Sequence, residues 1–156
     1  MLISVIGESK ATDQNYSIAE KVGALIARSG ATLVCGGLDG VMEAACKGAK
    51  SAGGSTIGIL PGLNKNEANQ WIDIPICTGL GDARNIVVVR TGFAVIAIGG
   101  AYGTLSEIGH ALSDGKPIFA LNSWEISKSG IQDPLLTHCK NETEAVEKAL
   151  AAASAG

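Results

Sequence analysis

Apolar residues recur along this chain in short unbroken runs, with helix-like stretches between them. The runs are Leu2 to Ile6, Ala31 to Cys35, Thr56 to Leu60, Ile72 to Cys77, Phe93 to Ile98 and Pro117 to Leu121, and each reads as a strand. Between the first two, Ile18, Val22, Leu25 and Ile26 share one helical stripe, and Gly30 stands where that helix should end. The pattern predicts further helices over Val41 to Ala52, Asp82 to Thr91, Thr104 to Asp114 and Glu142 to Ala153. Asn141 and Glu144 suit the last of these as a cap and its N3 partner. Asn64 to Trp71 reads as a surface loop whose tryptophan either clamps it to the core or covers a ligand. Strands alternating with helices predict an α/β fold, a doubly wound, mainly parallel sheet with helices on both faces.

Composition narrows this picture. At 156 residues, 46% hydrophobic and 4% aromatic, the chain predicts one domain over 1–156 around one core, ordered apart from its last few residues. A net charge of −3 offers no basic surface for a polyphosphate backbone, which argues against nucleic-acid partners. No apolar run approaches the roughly 18–20 residues of a membrane span, and no cleavable leader opens the chain, so a cytoplasmic location without membrane contact is expected. Cys35, Cys46, Cys77 and Cys139 form no C-x-x-C and have no spaced histidine pair, so no metal site is predicted and all four read as buried reduced thiols.

The candidate chemistry lies in two glycine turns. Ile98 to Glu107 reads IGGAYGTLSE, a Gly-Gly-x-x-Gly turn between a strand and a helix, where free backbone N–H groups and the helix dipole favour an anion. Leu33 to Glu43, LVCGGLDGVME, repeats the arrangement, pairing Gly36, Gly37 and Gly40 with Gly99, Gly100 and Gly103. The dinucleotide fingerprint would need glycine at Cys35 and Ile98, and no Walker-type loop is present, so neither a common NAD site nor a P-loop ATP site is indicated. Ligands of open α/β sheets sit at the carboxyl ends of strands, so Gly7 to Ser9, Gly36 to Gly40, Gly79 to Arg84 and Gly99 to Gly103 should share one rim.

Several side chains near these turns have two readings. Thr104 and Glu107 satisfy the T-x-x-E capping-box pattern, or they face a phosphate and the group attached to it. Arg84, near the start of a helix, opposes the dipole unless an anion is present, and Asn85 can read a polar edge; the alternative is a surface arginine paired with Asp82 or another carboxylate. His110 could share the Glu107 face as a proton relay, His138 reads as a surface residue, and Tyr102 either stacks on a base or packs on a loop. The expected ligand-contacting set is Gly7, Ser9, Gly36, Gly37, Gly40, Met42, Arg84, Asn85, Gly99, Gly100, Ala101, Tyr102, Gly103, Thr104 and Glu107.

Together these blocks resemble the Rossmann-like superfamily of the LOG ("Lonely Guy") phosphoribohydrolases, often labelled "possible lysine decarboxylase". The bacterial branch similar to molybdenum cofactor carrier proteins resembles the chain most. VIGES, LVCGGLDGVMEAACKGA, GGSTIGILPG, TGLGDARN, VIAIGGAYGTLSEIGHAL and GKPI occur in family order across nearly the whole chain. The resemblance implies a homodimer or homotetramer that binds a phosphorylated nucleotide-like ligand or molybdopterin at the glycine turns. In the hydrolase reading it implies catalysis by Glu107 and Arg84, releasing a base from a nucleoside 5′-monophosphate. Against the hydrolase pattern P-G-G-x-G-T-x-E-E, Gly99 replaces the proline, Ala101 the second glycine and Ser106 the first glutamate, while Asn85 replaces a lysine. Binding is therefore retained more clearly than catalysis, and a carrier is the leading expectation. No cofactor is required for that role. No pyridoxal phosphate is expected, because Lys47, Lys50 and Lys116 all lie away from the glycine turns.

Overall fold

The computed structural model describes residues 1–154, so part of the expectation about the last few residues falls outside the described range. The chain runs β1 (Leu2–Gly7), α1 (Asp13–Arg28), β2 (Thr32–Cys35), α2 (Val41–Ser51), β3 (Thr56–Leu60), β4 (Ile74–Cys77), α3 (Arg84–Thr91), β5 (Ala94–Ile98), α4 (Tyr102–Ser113), β6 (Ile118–Leu121), β7 (Ser127–Lys128), β8 (Ile131–Gln132), β9 (Leu136–His138) and α5 (Glu142–Ser154). Seven strands form a parallel sheet in the order β4-β3-β2-β1-β5-β6-β9, and β7 and β8 make a separate antiparallel hairpin. The order reverses between β1 and β5, where Ile3 to Gly7 pair with Ala94 to Ile98. This is the doubly wound fold the apolar runs predict.

The two faces are covered unequally. Helices α1, α2 and α5 pack with Ile3, Val5, Leu33 and Ile96 on one side, while α3 and α4 cover Ile6, Val34, Ile59 and Val95 on the other. The close α1–α2 crossing depends on two glycines. A Cβ on Gly23 would collide with the Ala45 carbonyl, and one on Gly48 with the carbonyl of Glu20. Ser4, fully buried in β1, donates to the Val88 carbonyl at 2.7 Å and accepts the Gly92 N–H at 3.1 Å, tying the central strand to α3.

Several local expectations are revised. The strand expected from Ile72 starts at Ile74, and the Asn64 to Trp71 loop contains a short 3-10 turn at Lys65–Glu67. Trp71 serves as the clamp: it packs on the α1–α2 core, and its carbonyl accepts from the Thr56 hydroxyl at 2.6 Å. Helix α1 is capped by Thr12, whose hydroxyl accepts the Asn15 N–H, and Gly30 follows the helix with φ +79°. Asn141 caps α5 as expected, but Glu144 reaches the Lys140 N–H, one residue before the cap amide. Only Cys35 and Cys46 are fully buried thiols, their sulfurs 3.5 Å apart; Cys77 and Cys139 are partly exposed.

Candidate ligand-binding cleft

A cleft of about 230 Å³ opens where β1, the turn after β2, the start of α3 and the start of α4 converge. The switch in strand order creates the gap: the connections from β1 and β5 leave in opposite directions, and no helix fills the space between them. Its walls include Gly7, Glu8, Ser9, Gly36, Met42, Asp82, Arg84, Asn85, Ala101, Gly103, Thr104 and Glu107.

Arg84 dominates the electrostatics. It is the first residue of α3 and is 6% exposed, and its Nη1 donates to Asn85 Oδ1 at 2.6 Å. Its Nε is buried with no partner, and among the described residues no carboxylate lies within ion-pair distance of it. The pairing with Asp82 is therefore not formed. Burial lowers the pKa of the guanidinium, yet arginine stays charged in proteins, so the cleft holds an unneutralised cation. Two hydrogen-bonding edges in a fixed plane suit an oxyanion.

Glu107 faces the same space from α4. It is 7% exposed, and burial pushes its carboxyl up to about 7, with Arg84 pulling the other way. The capping box is not formed, because α4 begins at Tyr102 with Ala101 as its cap residue and no side-chain cap bond. Thr104 thus lies inside the helix, buried in the cleft wall beside Glu107. The first-turn N–H groups of α4 have no intrahelical acceptor, and Ala101, Gly103 and Thr104 present that end to the cleft.

The two glycine turns differ. In the first, Gly37 packs under Leu60, its carbonyl accepts from Asn69, and Gly40 is pressed against the Glu8–Ser9 backbone, so of its three glycines Gly36 alone reaches the cleft, beside Leu38. In the second, the Glu8 carboxylate accepts the Gly100 N–H at 2.6 Å and is itself held by Asn15 Nδ2 at 2.8 Å. A side chain of the protein therefore fills the first half of that cradle, and the start of α4 is the part left open to the cleft.

Of the residues named from sequence, Gly7, Ser9, Gly36, Met42, Arg84, Asn85, Ala101, Gly103, Thr104 and Glu107 gather in the cleft. Gly37, Gly40, Gly99, Gly100 and Tyr102 do not line it; Tyr102 is 81% exposed, with its ring 5.8 Å from that of Trp124. His110 does not line the cleft and makes no side-chain hydrogen bond to Glu107, and His138 ends the edge strand β9. Glu8, Leu38 and Asp82 fall inside the rim segments expected from sequence, but none of the three was singled out as a ligand-contacting side chain. The position of Glu8 after β1 at the sheet's switch point was the available signal.

The chain belongs to the SLOG cluster4 family. That family's profile matches residues 1–154, nearly the whole length. The chain is similar to a molybdenum cofactor binding protein from Rippkaea orientalis, at 36% identity and TM-score 0.88, covering 96% of this chain and 95% of that one. It is also similar to a molybdenum cofactor carrier protein from Chlamydomonas reinhardtii, at 33% identity and TM-score 0.86, covering 96% and 98%. A cytokinin riboside 5′-monophosphate phosphoribohydrolase from Mycobacterium tuberculosis is 34% identical over 116 residues, 69% of this chain and 62% of the enzyme, so the match spans less than two thirds of that relative. Among the described residues of this SLOG cluster4 protein, no helix is long and apolar enough to cross a membrane, and no group of three or more His, Cys, Asp or Glu side chains gathers as a metal site.

Proposed function

We propose that this protein binds a phosphorylated ligand, a nucleotide or a molybdopterin-type cofactor, in the Arg84 cleft and carries it without breaking a bond. The buried Arg84 guanidinium, with no carboxylate in ion-pair contact and its Nε unsatisfied, carries this reading. Leaving a buried donor unsatisfied costs about 1–3 kcal/mol, and more for a charged group, so the position is costly unless an anion completes it. The α4 terminus adds amide donors on the opposite wall. The two molybdenum cofactor proteins that share the fold support the carrier role.

One observation favours a second reading, hydrolysis of a nucleoside 5′-monophosphate. Glu107, with a pKa of about 7, is poised between acid and base beside the anion site, as a carboxyl acting at a glycosidic carbon would need to be. The phosphoribohydrolase relative supports it, while Ser106 and Asn85 stand where that pattern has its first glutamate and its lysine. Chromatography of a nucleoside 5′-monophosphate panel, run alongside calorimetric binding, separates the two readings. Binding without free-base release supports the carrier. Release that Glu107→Gln abolishes supports the hydrolase, and no binding of any phosphorylated ligand sinks both.

The same proposal includes a homodimer or homotetramer in the cytoplasm. Ile74 and Ile76 on edge strand β4 are 52% and 43% exposed, on the sheet face that α3 and α4 cover only in part. Leu63 and Leu80 are exposed as well, and a second copy would bury apolar side chains of this kind.

A further inference from the structure

One residue closes both glycine turns. The Glu8 carbonyl accepts the Val41 N–H, the first of α2, at 3.0 Å, so the helix start that follows the Gly36–Gly40 turn is already bonded. The Glu8 carboxylate reaches the other turn, where Oε2 accepts the Gly100 N–H at 2.6 Å. The fit there is close. A Cβ on Gly99 would lie 2.7 Å from each Glu8 carboxylate oxygen, so the bare glycine at that position makes room for Glu8. Asn15, in the first turn of α1 and itself buried, donates from Nδ2 to Glu8 Oε1 at 2.8 Å and holds the carboxylate against the turn. Both oxygens therefore accept, as those of an ionised carboxylate do, and the side chain sits where a phosphoryl oxygen would otherwise take the Gly100 amide.

What stays open suits one anionic group. The start of α4 and the Arg84 guanidinium, whose buried Nε has no partner, face the rest of the cleft. Arg84 is the one basic side chain among the described residues that line it, and Glu8, Asp82 and Glu107 line it too. A second phosphoryl group, one bridging oxygen from the first, would meet these carboxylates with no further cation to offset them. Like charges repel strongly in a part-buried site.

We infer that Glu8 restricts the cleft to ligands with a single phosphoryl group, phosphate monoesters, and shuts out diphosphates by filling the Gly99–Gly100 half of the cradle with its own negative charge. The inference rests on the phosphorylated-ligand reading above and narrows its class. Whatever ring the ligand carries, its anionic end is a monoester, and a diphosphate-linked dinucleotide is excluded. Glu8 sets specificity here and takes no part in any bond-breaking step.

Ribose 5-phosphate and ribose 5-diphosphate make a matched pair that differs only in the second phosphoryl group. In calorimetric titrations the parent should bind the monophosphate roughly tenfold or more tighter than the diphosphate. Glu8→Ala, which empties the half-cradle and frees the Gly100 amide, should lower that ratio by about tenfold, chiefly through tighter diphosphate binding. Glu8→Gln keeps the bulk and removes the charge, so it should lower the ratio by roughly threefold, and it decides the matter if the alanine variant does not fold. Asp39→Asn removes an equal charge from an exposed position on the neighbouring turn, outside the cleft lining, and should leave the ratio unchanged. A parent that binds both probes equally overturns the inference and leaves the Arg84 reading standing. So does a ratio that neither Glu8 substitution moves, or one that Asp39→Asn lowers as much. Failure of ribose 5-phosphate to bind sinks the anion reading, and this inference with it.

Discussion

Gly36 abuts the Arg84 guanidinium so closely that a Cβ at Gly36 would lie 2.6 Å from Nη1 and 2.7 Å from the Met42 sulfur. The absent side chain at Gly36 is what lets arginine occupy the cleft floor. Gly36→Ala should push Arg84 from its place and weaken ribose 5-phosphate binding about tenfold, ~1.4 kcal/mol. Circular dichroism should stay native. Unchanged calorimetric affinity would show that the guanidinium position does not matter.

Removing the charge outright should cost more. Arg84→Ala is expected to weaken binding of a phosphorylated ligand by about 1.5–3 kcal/mol, the range for a hydrogen bond to a charged group. Arg84→Lys should recover only part, since an ammonium cannot present two parallel donors. Full recovery by lysine would argue for charge alone.

The Glu107 carboxyl links binding and stability to pH. Its folded value of about 7 lies above the ordinary 4.5, so between these values the folded protein holds a proton that the unfolded chain releases. Stability therefore falls as pH rises through that window. Above it the loss is complete at about 3 kcal/mol, from roughly 1.36 kcal/mol per unit. Glu107→Gln should flatten the profile and exceed the parent on the alkaline side in urea titrations. Anion affinity should fall through the same window in the parent only, and a parallel fall in the variant would assign it to another group.

Ser4 tests the link between β1 and α3. Ser4→Ala strands the Val88 carbonyl and the Gly92 N–H in a dry interior and should destabilise the fold by about 2 kcal/mol. Chemical denaturation with an unchanged slope would report this directly. A loss below ~0.5 kcal/mol would mean those groups find other partners.

Gly48→Ala should force α1 and α2 apart, because its new methyl meets the Glu20 backbone rather than a movable side chain. Overpacking of this kind costs about 1–3 kcal/mol. A thermal melt no lower than the parent's would show that the crossing relaxes freely.

Much of this was legible beforehand, for specific reasons. The strands at Leu2 to Ile6 and Phe93 to Ile98 are central, covered on both faces, and so appear as unbroken apolar runs. Strand β9 at Leu136–His138 and the β7–β8 hairpin are short and half-exposed, and nothing in their composition distinguishes them from loop. Arg84 was readable because a cation at a helix start opposes the dipole. Of the two readings of Thr104 and Glu107, the capping box is a valid local pattern overridden by the turn before it, which starts α4 at Tyr102. Glu8 escaped because its partners, Gly100 and Asn15, are neighbours only in space.

The pairing of β1 with β5 also bears on how the chain is made. Ile3 leaves the ribosome about ninety residues before Ala94, its partner across the sheet's centre. Until then the nascent chain holds β1 with one ladder closed, by β2, and the other side bare. Such an open edge is a template for foreign strands. The early half can settle its α1–α2 layer, but the cleft at the switch point exists only after the second half has been synthesised. A truncated product therefore has a partial core and an incomplete cleft, and quality-control proteases would meet it as an exposed sheet edge.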